Sequence, residues 1–276
     1  LQKGERLVNY ELRQYSFGQT IGKGFNLYFD NFIPVVLVSL VCQIPMVLFL
    51  YFTGFMKLVE YETFSSGYYS YFFFLIIWMI IAQSFLSAFT IHLVAKKFLE
   101  NTPTGRENNF TSIFPLFLPV LGVTFVVGIA MVFGFFTCIV PGILIWLGFS
   151  IATEVLVIER RTVGESMNRS WNLTKGRKGT VFLISFVAGL IVFGITQGVM
   201  LLVRFSPLDV STVTCIEYGV GAITNPIYAC IMIVLYFNLR IEKEGFNIEH
   251  LAQQFTLADT PADLVLDSVV EPKAEI

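Results

Sequence analysis

The residue in this chain with the clearest chemical potential is a carboxylate, Glu154, set near the end of an otherwise apolar run from Phe114 to Ile158. Such a group is costly in hydrocarbon unless it is paired, protonated or lining a cavity, which makes it the one candidate for acid chemistry inside a membrane. A plainer reading places it near the headgroups, because Glu159 at the interface is close by in sequence. Gln43, Gln83, His92, Gln197 and Asn225 add polarity to other apolar runs. The pair Asn225-Pro226 is expected to break its helix so that free backbone lines a site, although hydrogen bonding between helices accounts for each polar residue as well. Outside the apolar runs, Glu159 to Lys178 reads ERRTVGESMNRSWNLTKGRK and carries Arg160, Arg161, Arg169, Lys175, Arg177 and Lys178 around Trp171. Cations at that density attract anionic lipid, at about 1 kcal/mol per basic residue near the surface.

Familiar catalytic patterns are missing. The sequence contains no Walker motif, no nucleotide-binding glycine fingerprint, no CxxC pair and no H-E-x-x-H. Its two histidines, His92 and His250, lie far apart and lack an acidic cluster, so neither a metal site nor a Ser-His-Asp arrangement is expected, and no cofactor is implied. Cys42, Cys138, Cys215 and Cys230 fall in or beside apolar runs without ligand spacing and read as small packing residues. A net charge of −2 gives no argument for nucleic acid.

The elements that must position these residues are membrane helices. With 55% hydrophobic and 14% charged residues among 276, the chain exceeds what a soluble surface tolerates. The reading is all-α, a polytopic integral membrane protein with six spans at about 33–55, 68–94, 114–136, 141–158, 179–203 and 210–237. The long run from Phe114 is split at Thr137-Cys138-Ile139-Val140-Pro141-Gly142 because one span of hydrocarbon takes about 20 residues. Pro45 is expected to kink the first span. Residues 1–15 read as a cytoplasmic segment, 16–244 as the membrane domain and 245–276 as an acidic cytoplasmic tail, partly disordered, with a short helix near Ile248 to Phe255. Of the eighteen Lys and Arg, only Lys57 and Arg204 fall on the far side of this arrangement. The positive-inside rule then puts both termini in the cytoplasm of a bacterial inner-membrane protein.

Three capping boxes introduce helices on the basic side: Ser16 with Gln19, Thr104 with Glu107, and Thr162 with Glu165. The first and third align at an offset of 146 residues in the pattern [ST]-x-G-[QE]-x5-[FW]-N-L. Each copy opens an amphipathic interfacial helix and is followed by a span, which predicts repeated units of one interfacial helix and one hairpin. The Gly194-x-x-x-Gly198 pair is expected to serve internal helix packing rather than dimerisation.

The run Val140-Pro141-Gly142-Ile143, then Val157-Ile158-Glu159 and the string Gly164 to Gly176, with Tyr10-Glu11-Leu12-Arg13 and Tyr236-Phe237-Asn238-Leu239-Arg240 at the two ends, resembles the membrane domain fused to some glycerophosphodiester phosphodiesterases. The same pattern is similar to stand-alone YciC-like bacterial membrane proteins. The resemblance implies a fold without the phosphodiesterase chemistry, which in that family belongs to a separate soluble barrel. Together these readings favour a non-enzymatic membrane protein that meets anionic lipids or a protein partner at its cytoplasmic face. The alternative is a transporter or lipid-translocating protein with a polar site among the helices.

Overall fold

The computed structural model describes residues 14–53, 66–100 and 109–244, and all regular structure there is helical. In chain order the helices are α1 (Phe17–Asp30), α2 (Phe32–Thr53), α3 (Ser66–Glu100), α4 (Asn109–Thr137), α5 (Ile139–Phe149), α6 (Ala152–Glu159), α7 (Val163–Thr174), α8 (Lys178–Arg204) and α9 (Val210–Glu244). Among the described residues, six stretches are long and apolar enough to cross a membrane, α5 and α6 together making the fourth. The chain is therefore a six-span helical protein of membrane type. The Thr104 box, residues 1–13 of the N-terminal segment, the loop carrying Lys57 and the acidic tail lie outside the described residues.

Helix α9 is the axis. Some 67% of its most apolar stretch is buried, whereas the other spans bury between 17% and 44% of theirs. Every residue from Cys230 to Arg240 is buried. Helices α1, α2 and α8 pack along it, and α3 closes against both α2 and α4. Asn225-Pro226 does not break α9 as the sequence suggested, since the helix runs on through Pro226. Proline removes one ladder donor and crowds the preceding turn, and beside it the carbonyl of Ile223 accepts from the Tyr28 hydroxyl at 2.7 Å. The carbonyl that Pro226 leaves without its donor is that of Ala222, so this contact ties α1 to α9 beside the proline without replacing the lost bond. Pro45 likewise sits inside a continuous α2.

Helix α1 lies close against α9 because Gly24 has no side chain there: a Cβ would fall 2.7 Å from the Ile231 Cα. Just ahead of α1, Tyr15 exchanges two hydrogen bonds with the Asn238 amide, N–H to Oδ1 at 2.9 Å and Nδ2 to carbonyl at 3.0 Å. Both predicted capping boxes are present at α1 and α7. The buried residues of α1 are Thr20, Gly24, Leu27 and Tyr28. Those of α7 are Ser166, Ser170, Leu173 and Thr174, each at the same 146-residue offset as the sequence pattern. The two helices therefore turn equivalent faces inward.

Three further expectations change. The fourth span is not one rod but breaks at Ser150 and Ile151. There the Ser150 hydroxyl turns back to the Leu147 carbonyl at 3.0 Å, and Ser170 Oγ reaches the Gly148 carbonyl at 2.8 Å, so side chains compete with the helical ladder. The Gly194 and Gly198 pair does not serve internal packing: both are exposed, and a Cβ at either meets nothing within 4 Å. Cys138 is also exposed, so it is not the packing residue expected, while Cys230 is buried.

Candidate functional site

At the basic end, helix α7 is docked rather than floating on an interface. Gly148 provides the seat, for a Cβ there would stand 2.1 Å from Trp171 Cε3. Trp171 fills that space, meets Phe149 at a ring distance of 5.6 Å and carries the Lys178 ammonium 3.7 Å from its ring centre. The cation is attracted by the negative face of the indole, and Lys178 also donates to the Leu144 carbonyl at 3.2 Å. Lys243 of α9 reaches the carbonyls of Asn172 and Lys175, satisfying the free end of α7. Arg160 takes the left-handed conformation that ends α6, with φ at 52°.

The remaining charges form a network centred on Glu159. Its carboxylate accepts from Arg161 Nε at 2.6 Å, from the Tyr236 hydroxyl at 3.0 Å and from Arg169 Nε at 3.2 Å. Arg240, 5% exposed like Glu159, lies 3.9 Å from the same carboxylate and donates to the Tyr236 hydroxyl at 3.0 Å. Glu244 pairs with Arg240 at 3.1 Å and with Arg169. Arg177 pairs with Glu242. Burial works against the Arg169 charge, but Glu159 and Glu244 outweigh it and hold the guanidinium above its ordinary range. Buried and multiply hydrogen-bonded, the network fastens α6, α7 and the end of α9 to one another. Of the basic island, Arg161, Arg169, Arg177 and Lys178 have partners within the protein, and Lys175 is exposed.

The polar residues within the spans divide into two groups. Gln43, Gln83 and Asn225 line one cleft of about 530 Å³ between α2, α3, α8 and α9. Its apolar walls include Met46, Leu50, Leu75, Met79 and Leu86, and its polar lining adds Thr196, Thr214, Glu217 and Tyr218. The cleft extends from the middle of the bundle toward the end opposite the basic network. A second pocket of about 450 Å³ shares Gln83, Thr196 and Asn225 with it and adds Gln197 and Tyr228. Thr196 and Thr224 join α8 to α9 behind it through a hydroxyl pair at 2.9 Å. His92 and Glu154 line neither pocket. Both are buried, and Glu154 Oε2 lacks a hydrogen-bond partner.

Sequence reasoning missed several members of these sites. Glu217 is an acid inside the sixth span, and the rule that singled out Glu154 applies to it equally. Trp78 faces the cleft with its indole N–H buried and unpartnered, which no local pattern reveals. Arg240 and Glu244 stand at i,i+4, a helix-pair signal visible in the sequence, but their meeting with Glu159 and Arg169 depends on the fold. Comparison with family models, curated proteins and solved structures finds no match. The resemblance drawn from residues 10–13, 140–143, 157–159, 164–176 and 236–240 stands on those residues alone.

Proposed function

We propose that this protein handles an amphipathic, lipid-like molecule, holding it in the intramembrane cleft between α2, α3, α8 and α9, either to carry it or to move it between leaflets. The observation that carries this reading is the lining of that cleft: amide and hydroxyl groups of Gln43, Gln83, Thr196, Thr214 and Asn225 facing an apolar wall of Met46, Leu50, Leu75 and Leu86. Polar groups at membrane depth are expensive unless they pair or face a cavity, and a site that offers both surfaces matches a ligand with a headgroup and a chain. This is the alternative the sequence allowed. An anionic-lipid platform at the basic island has less to recommend it, because Arg161, Arg169 and Arg177 already pair with carboxylates.

The test is photo-crosslinking in lipid nanodiscs with an alkyl probe bearing a diazirine, mapped by mass spectrometry. Labelling is expected at Met46, Trp78 and Met79 and should fall several-fold when Ala82→Phe fills the space. Labelling spread evenly over the lipid-facing residues of α4 and α8, and unchanged by Ala82→Phe, would sink the proposal.

A further inference from the structure

We infer that the cleft selects amphiphiles with a cationic headgroup, with Glu217 as the counter-ion. This rests on the reading of the cleft as a ligand site. Among the described residues that line it, Glu217 is the only acidic side chain, and no Lys or Arg accompanies it. It belongs to the sixth membrane span, about 10 Å along the helix from the start of α9 at 1.5 Å per residue. A carboxylate at that depth is tolerated where it faces a water-filled cavity or a partner of opposite charge. The cleft supplies the cavity, and Glu217 is exposed and makes no ion pair with another described residue. The neighbouring wall suits a cation for a second reason. Tyr218 and Trp78 line the same space, and aromatic faces attract ammonium groups that have left bulk water. The amides of Gln43, Gln83 and Asn225 add dipoles but no charge that would favour an anion. An anionic headgroup in the same place would meet Glu217 with like charge.

The experiment measures displacement of the photoactivatable alkyl probe from the full-length protein in nanodiscs by dodecyltrimethylammonium, dodecyl maltoside and dodecyl phosphate. The cationic amphiphile is expected to displace the probe at roughly tenfold lower concentration than the other two, the effect of one hydrogen-bonded or paired charge in a partly dry site. Glu217→Gln should collapse that ratio to near one, Glu217→Asp should keep most of it, and Glu217→Lys should turn the preference toward the phosphate. Thermal unfolding of each variant, matched to the parent, shows that the bundle is intact. Equal displacement by all three headgroups, or a preference that survives Glu217→Gln, overturns the counter-ion assignment while leaving the cleft as a ligand site. Failure of every amphiphile to displace the probe overturns both.

Discussion

Glu159 is where the chain holds its basic end together, and removing it leaves Arg169 and the buried Arg240 to share Glu244. Arg240 is nearly fully buried beside it and Arg169 spans Glu159 and Glu244. Losing one member of such a buried group costs about 3 kcal/mol, because the partner's desolvation is no longer offset. Glu159→Gln is therefore expected to lower the unfolding free energy in detergent by about that amount, whereas Arg161→Gln, on the exposed side of the same carboxylate, should change it little. A denaturation series on the two variants separates them. Glu165 gives a pH-dependent counterpart. Hydrogen bonds from the backbone and side chain of Thr162 hold its carboxyl below the usual range. A depressed folded-state pKa means the stabilisation is present above the unfolded value and is lost as pH falls through the folded one. The protection of the first-turn amides of α7, taken as the exchange rate relative to the intrinsic rate at each pH, should thus be high at neutral pH and fall in acid, and Glu165→Gln should flatten that dependence. Glu165 and Thr162 were legible in the sequence as a capping box, since their partners lie three residues apart. Glu159 was not, because its partners are Arg169, Tyr236 and Arg240, and only the folded chain brings them together.

At the scale of elements, the amphipathic helices α1 and α7 were legible from caps and periodicity, and the 146-residue offset extended to the faces they bury. What the sequence did not reveal is that both helices dock on protein. The reason is glycine. Gly24 lets α1 approach the α9 backbone at Ile231, and Gly148 makes the seat for Trp171, while an isolated glycine in an apolar run carries no sign of its neighbour. Overpacking such a contact costs about 1–3 kcal/mol. Gly148→Ala is expected to lift Trp171 from α5, weaken the Ser170 hydrogen bond to the Gly148 carbonyl and raise hydrogen exchange throughout α7 while α8 stays protected. Uniform exchange across the two helices would mean that α7 is held by the charge network alone. Gly164 is a matched control, because a Cβ there meets nothing within 4 Å. The break between α5 and α6 was hidden for a related reason: it depends on Ser170 reaching back across 22 positions of chain to Gly148.

For the molecule as a whole, span number and charge distribution were legible because both follow from composition along the chain, and the six apolar stretches of the fold fall where expected. The role of α9 was not, since the sequence showed six spans of similar apolar character and only packing distinguishes the one that is 67% buried. That packing separates two ends with different chemistry. The basic network gathers the end of α6, α7 and the end of α9, while the cleft occupies the opposite half, where α2 and α8 finish and α3 and α9 begin. An even number of spans puts the start of α1 and the end of α9 on one side, and the positive-inside rule predicts that this side is the cytoplasm. A ligand entering the cleft would then come from the outer leaflet or the external face. This orientation is checked with thiol labelling in a variant lacking the native cysteines, with single cysteines placed at Ser206, in the exposed turn after α8, and at Lys175, exposed beside the network. A membrane-impermeant maleimide added to intact spheroplasts should label Ser206→Cys and leave Lys175→Cys untouched until the cells are opened. The reverse pattern would place the basic end outside and turn the cleft toward the cytoplasm, so that its ligand would have to come from the inner leaflet.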